Sequence, residues 1–229
     1  MKTIIAIIIT LFILAYIFII SIKKAKQITN DKSYDYITKK LPKNKDICKS
    51  ILKMLKNETT EIEENNESYT NLYIAISKKI IIGKTAVDSV RVQTIAHECA
   101  HSVQNKKIQM ANFVFSNIYL IYFIVSIILT IFSIYKDTYF QVIILLLLGV
   151  VFFAIRAYLE VEAMTKAQYI AEKYINKEEL TKEEQETLIN HYEEINKIGI
   201  PLVIYTLVAK TLSKPLIYVI ISELHKVLI

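Results

Sequence analysis

The sequence predicts a mainly α, multi-pass membrane protein in which a small β-hairpin precedes a helix carrying the pentapeptide HECAH. Three observations carry that expectation. Uncharged runs long enough to cross a bilayer recur along the chain. The polar segments between them hold helix-start signals and few glycines or prolines. One short segment alone, rich in Ile and Tyr, has strand character. Composition agrees, because 53% of the 229 residues are hydrophobic, and a soluble domain holds roughly one half only when glycine is counted.

Thr3 to Ile22 is uncharged over 20 residues, which at about 1.5 Å per residue crosses a hydrocarbon core of about 30 Å. A cleaved signal peptide is the rival reading. The apolar run is too long for it, and no small-residue cleavage site precedes KKAK, so residues 1–26 are assigned as an uncleaved anchor. Residues 27–112 form the first polar half. Within it, the acidic stretch 57–69 reads as a solvated loop, and NLYIAISKKIIIGK, 71–84, as two short strands around Ser77 to Lys79. Thr85 with Asp88 makes a capping-box-like start, and no Gly or Pro follows before Lys107, so one long helix is expected there.

Phe113 to Tyr135 and Thr138 to Ile155 are two further uncharged runs separated by Lys136 and Asp137, a bilayer hairpin over 113–159. Residues 160–229 form the second polar half. A helix continues through YLEVEAMTKAQYIAEKYI, and TKEE at Thr181 is a second capping box. Ile198 to Ile221 is apolar but interrupted by Pro201, Lys210, Lys214 and Pro215. It fits a fourth span, an interfacial helix or a helix packed on the polar part, and the cost of intramembrane lysines favours the last two.

Charge sets orientation and excludes some partners. Lys23, Lys24 and Lys26 follow the first span, Lys106 and Lys107 precede the hairpin, and Arg156 and Lys166 follow it. All place the polar halves in the cytoplasm. In that orientation the sequons at Asn57 and Asn66 carry no meaning. The net charge of +6 is spread among glutamates and span ends, without the aromatic-interleaved basic stripe of a nucleic-acid binder. Cys48 and Cys99 are far apart in sequence and lack CxxC spacing, so they imply neither a disulfide framework nor a thiolate zinc site.

HECAH is HExxH. Four residues apart on a helix, His97 and His101 lie about 40° apart around the axis and one turn along, so both imidazoles reach one metal ion. Zinc accepts two neutral imidazoles and leaves a position for water, which Glu98 is placed to deprotonate. The competing reading is a surface or core-satisfied histidine pair. A third ligand is needed, and the carboxylates of LEVEA, Glu160 and Glu162, return to the same side after the hairpin. Glu160 is favoured because Ala163, Ala167 and Ala171 continue its face and permit close helix approach, leaving Glu162 to orient a ligand histidine. The alternative for each is a surface charge. Cys99, about 200° around from His97, faces away from the metal as a small buried residue. His191 and Tyr192 offer an oxyanion donor, but a helix-surface pair is the favoured reading.

AHECAHSVQ, YIAISKKIIIG, LLLLGVVFFAIRAYLEVEAMTKA and IYTLVAKTLS together resemble the YugP-like neutral zinc metallopeptidases, membrane-associated bacterial proteins of about this length. The resemblance runs from about Tyr69 to Ser213. Against that family's AHExGHAxQ, His97, Glu98, His101 and Gln104 match, and Ala100 stands where the family has glycine. Against its E-x-D-A motif stand Glu160, Val161, Glu162 and Ala163, with Glu162 replacing aspartate. The plan of HExxH, membrane hairpin and ligand glutamate is also similar to the HtpX-like membrane peptidases. The resemblance implies a helical HExxH zinc-peptidase core in a bacterial cell membrane, with Zn2+ on His97, His101 and Glu160, Glu98 as general base, and polypeptide substrates that include membrane proteins. A non-catalytic or structural-zinc membrane protein, and a peptidase for lipid-modified substrates, are the alternative readings. Membrane lipid is the other expected partner, and nucleic acid is not expected.

Overall fold

The computed structural model of the protein describes residues 2–29, 31–65, 67, 70–84, 89–135 and 137–228. The expected capping residues Thr85 and Asp88, the sequon residue Asn66, Tyr69 and the tip residue Lys136 lie outside the described residues. The chain is mainly helical, and it divides into two compact units that interleave along the sequence.

The first unit comprises residues 1–20, 106–158 and 202–229. It holds most of α1 (Lys2–Thr29), all of α5 (Lys106–Ile131), the first part of α6 (Thr138–Ile175) and the last part of α7 (Lys182–Leu228). Each of these four helices is long and apolar enough to cross a membrane. Their large apolar side chains point outward: Phe12 is 73% exposed, Ile121 59% and Leu147 63%. Several of their polar groups pair inside the unit. The Tyr119 hydroxyl donates to the Thr211 carbonyl at 2.8 Å, and Thr130 meets the Tyr218 hydroxyl at 2.9 Å. Tyr122 bonds Gln141, and Thr138 bonds Ser222. Buried hydroxyls and amides need such partners, while an apolar exterior of this extent suits a hydrocarbon solvent.

Between α5 and α6 the chain turns at Ser133, whose φ of 56° is left-handed, and Asp137 starts α6 by accepting the Phe140 N–H at 3.0 Å. Pro201, Lys210, Lys214 and Pro215 do not interrupt α7, contrary to the sequence reading, and residues 182–228 form one helix. Prolines are tolerated inside long apolar helices where neighbouring elements re-satisfy the freed backbone groups. The Lys214 ammonium rests 4.3 Å from the centre of the Tyr119 ring, which partly offsets its desolvation.

The second unit comprises residues 21–105 and 159–201. A 3₁₀ turn (Lys32–Tyr34) leads through α2 (Asp35–Thr38) to α3 (Asn44–Met54). Three strands follow, β1 (Glu61–Asn65), β2 (Leu72–Ile74) and β3 (Lys79–Gly83), ordered β1-β3-β2. The β2-β3 pair is the expected hairpin. The stretch read as a solvated loop is partly a strand, because β1 lies parallel to β3 in the register Glu61↔Lys79 to Asn65↔Gly83. Its acidic residues hid it, yet they sit on an edge strand, where charge is tolerated. Lys79 pairs with Glu63 there at 2.8 Å.

The motif helix α4 spans only Arg91–Ser102, not the long helix to Lys107 that the absence of Gly and Pro suggested. Asn57 ends it by donating to the Ser102 carbonyl at 3.2 Å and the Ser102 hydroxyl at 2.9 Å. The capping box at α7 forms as read, with the Thr181 N–H donating to Glu184 at 3.1 Å and the Glu184 N–H to the Thr181 hydroxyl at 3.2 Å. One core gathers α3, β3, α4 and the second part of α6, and in it Ala96, Ala100, Ala163 and Ala171 are fully buried.

Gly149 on α6 tests the packing of the first unit. A Cβ there would lie 2.8 Å from the Thr211 side-chain methyl and 3.0 Å from the Tyr119 hydroxyl. Gly149→Leu is expected to destabilise the fold by roughly 1–3 kcal/mol through overpacking, read as an earlier thermal unfolding transition in detergent.

Candidate metal centre

Helix α4 is fixed at both ends before any chemistry is considered. At its start, the buried Arg91 guanidinium donates to the carbonyls of Thr38, Leu41 and Pro42 and to Asn44 Oδ1, at 2.7–3.0 Å. Two residues on, Gln93 Nε2 donates to the Tyr192 carbonyl at 3.1 Å and to Asn196 Oδ1 at 2.9 Å. Asn71 ties the sheet to the same helix, accepting the Gly83 N–H and donating to the Thr94 hydroxyl. These bonds are made inside a low-dielectric core, so each partner is held in place.

The C-terminal half of α4 presents the motif. His97 and His101 stand with Nε2 atoms 3.1 Å apart. Glu160, from α6, places Oε2 3.4 Å from His97 Nε2 and Oε1 3.8 Å from His101 Nε2. Ligand atoms of the three residues all lie within 4.8 Å of one another, a group able to hold a metal ion. Side-chain exposures of 22%, 12% and 11% for His97, His101 and Glu160 leave the group reachable from outside. Glu160 therefore joins the histidines, as favoured from the alanine-lined face.

Glu162 does not join them. Its Oε2 accepts from Gln104 Nε2 at 3.0 Å and its Oε1 from Lys166 at 2.7 Å. Gln104 Nε2 also donates to the Leu159 carbonyl at 2.7 Å. With the amide nitrogen so committed, Gln104 Oε1 faces His101 Nδ1 at 2.8 Å. An amide oxygen only accepts, so Nδ1 carries the proton and the Nε2 lone pair turns toward His97 and Glu160. The expectation that Glu162 orients a ligand histidine is thus corrected by one residue. Gln104 does so, and Glu162 holds Gln104.

Glu98 points to the sheet, where its Oε2 accepts the Tyr73 N–H at 2.7 Å. Tyr73 is paired with Ile80 across β2-β3, and its N–H points away from β3, toward α4. That bond fixes the position of the carboxylate. Burial works against charge on His101, but hydrogen bonding and attraction from Glu160 prevail and raise its pKa, with Gln104 and Glu98 adding to the effect.

Sequence reasoning missed Gln104 as the orienting group, although its three-residue offset from His101 placed it within reach. It also missed Tyr73, whose contribution is a backbone N–H that no side-chain pattern signals. His191 and Tyr192 are not a surface pair: His191 is stacked on Tyr34 at 4.0 Å and bonds the Ser89 hydroxyl at 2.9 Å, and both residues are buried. Cys99 faces the core as read, but it meets Cys48 there, their sulfurs 3.6 Å apart and both thiols free. Burial pushes the Cys99 thiol well up, which marks it as inert packing.

Metal analysis and titration check this centre. His97→Ala and Glu160→Gln are expected to lose bound metal, whereas Glu162→Gln and Gln104→Ala retain it with affinity about 10–100-fold weaker. Full occupancy at unchanged affinity in Glu160→Gln would remove Glu160 from the set. In the metal-free chain, the raised His101 pKa contributes stability fully below the unfolded value of about 6.5, and that contribution is lost as pH rises through the higher folded value. Protons and metal compete for the same nitrogen, so metal affinity is expected to begin falling above about pH 6.5 on acidification.

Comparisons of the chain with protein-family models, with curated proteins and with solved structures return no match.

Proposed function

We propose that the protein is a membrane-bound zinc metallopeptidase that hydrolyses peptide bonds of polypeptides near the membrane. The observation that carries the reading is the grouping of His97, His101 and Glu160 next to a separately anchored Glu98. The donor set fits zinc. Bonds of about 2.0–2.1 Å in tetrahedral geometry put ligand atoms about 3.3 Å apart; the two imidazole Nε2 atoms are 3.1 Å apart, Glu160 Oε2 is 3.4 Å from that of His97, and one ligand atom from each of the three residues lies within 4.8 Å of the others. When bound, zinc supplies Lewis acidity that makes a water acidic near neutral pH and polarises a carbonyl.

The chain's own residues then have distinct tasks. Glu98 takes the proton of the attacking water and returns it to the departing amine. The Tyr73 N–H holds that carboxylate in place, and Gln104 holds His101 in the tautomer that offers Nε2. Peptides are the favoured substrate class because two histidines four apart on one helix with a glutamate between them are the pattern of a metalloprotease, the glutamate being the general base. Basic residues flanking the spans, Lys23, Lys24, Lys26, Lys106 and Lys107, favour a cytoplasmic active side.

Proteolysis assays on the detergent-solubilised chain test this. Glu98→Gln is expected to bind zinc as wild type does and to lose at least about 10²-fold in rate, the usual scale of a general base. A Glu98→Gln chain that keeps its zinc and any wild-type proteolysis would favour a structural metal instead.

A further inference from the structure

Away from the metal centre, the second unit contains a cavity of about 420 Å³ between the α2-α3 corner and the end of β3. That volume lies in the roughly 300–1,000 Å³ range of small-molecule sites. Lys39, Lys43, Lys84 and Arg91 line it, against one carboxylate, Glu64, which leans to Lys45 at 3.8 Å. Among the described residues, no carboxylate pairs with Lys39, Lys43 or Lys84.

Arg91 strengthens the case because it is only 3% exposed. Among the described residues, its side-chain hydrogen bonds go to neutral oxygens, three carbonyls and the Asn44 amide, and its Nε has no partner. No carboxylate among the described residues pairs with it; a buried cation so placed is costly, and burial accordingly pushes its pKa down. The same cavity receives the start of α3, where the N-cap residue Lys43 supplies no capping oxygen. Backbone N–H groups at a helix start favour an anion.

We propose that this cavity binds a phosphate-bearing anion, contacted by Lys39, Lys43 and Lys84 and compensating the charge of Arg91. A phosphate presents oxygens in several directions to separate ammonium groups, and the cavity leaves room for whatever the phosphate is attached to. The source is either a soluble phosphoester or the headgroup of an anionic lipid. The proposal does not depend on peptidase activity.

The test uses the full chain in phosphatidylcholine nanodiscs, titrated with inorganic pyrophosphate after metal removal. Saturable binding of one pyrophosphate per chain is expected, weakened about tenfold or more in Lys43→Glu/Lys84→Glu, in line with loss of charge-assisted bonds, and unchanged in Lys53→Glu and His97→Ala. All three substituted lysines and the histidine lie outside the Arg91 bonds, and melting curves verify folding. Adding phosphatidylglycerol to the nanodisc separates the sources: competition identifies the lipid headgroup, and undiminished pyrophosphate binding identifies a soluble ligand. No saturable binding, equal binding in the double variant, or binding lost in His97→Ala would overturn the proposal.

Discussion

Two imidazoles on one helix and a carboxylate on another can share an ion only if the two helices are fixed to within a fraction of an ångström. In this protein that constraint is met through Gln104. Its amide nitrogen binds the Leu159 carbonyl and Glu162 on α6, while its oxygen binds His101 on α4. One side chain thus sets both the spacing of the ligand-bearing segments and the tautomer of a ligand. Gln104 is in place because α4 stops at Ser102, and an uninterrupted helix would carry residue 104 past the site. The alanines of α4 and α6 act in the same sense, since small residues in the shared core allow close helix packing.

The two units solve the problem of buried polarity in different ways. In the unit of long helices, tyrosine, threonine, serine and glutamine pair across helices while apolar side chains face outward. In the other, polar side chains anchor backbone: Arg91 and Gln93 secure the front of α4, and Asn57 secures its back. Both follow from the cost of leaving a buried donor unmet. The difference is what lies outside, because four helices here are long and apolar enough for lipid to surround them.

Much of this was legible in the sequence where a strong local rule applied. HExxH spacing, the Ala163, Ala167, Ala171 face that selected Glu160, the TKEE capping box and the β2-β3 hairpin all rest on short-range geometry. The failures share a cause. β1 is acidic and depends on a parallel partner 18 positions away in sequence, so its own residues gave no strand signal. The end of α4 depends on Asn57, far upstream, and contains no glycine or proline to announce it. The prolines of α7 misled in the opposite direction, because surroundings decide whether a proline breaks a helix. Cys48 and Cys99 are separated by 51 positions yet touch, a contact that only the folded core creates.

The bond from the Tyr73 N–H to Glu98 gives the carboxylate a role in strand protection beside the chemical one proposed for it. A free edge strand is an invitation to pair with another chain, and here its outward donor is occupied. The choice of replacement at position 98 therefore matters. Glutamine keeps an acceptor for that N–H, so it removes basicity alone. Alanine would also leave the donor without its partner, at a cost of up to about 1–3 kcal/mol where water cannot reach it, and would uncover the strand edge. The same position thus links the proposed general base to resistance against self-association, and the two separate only when the replacement side chain still accepts a hydrogen bond.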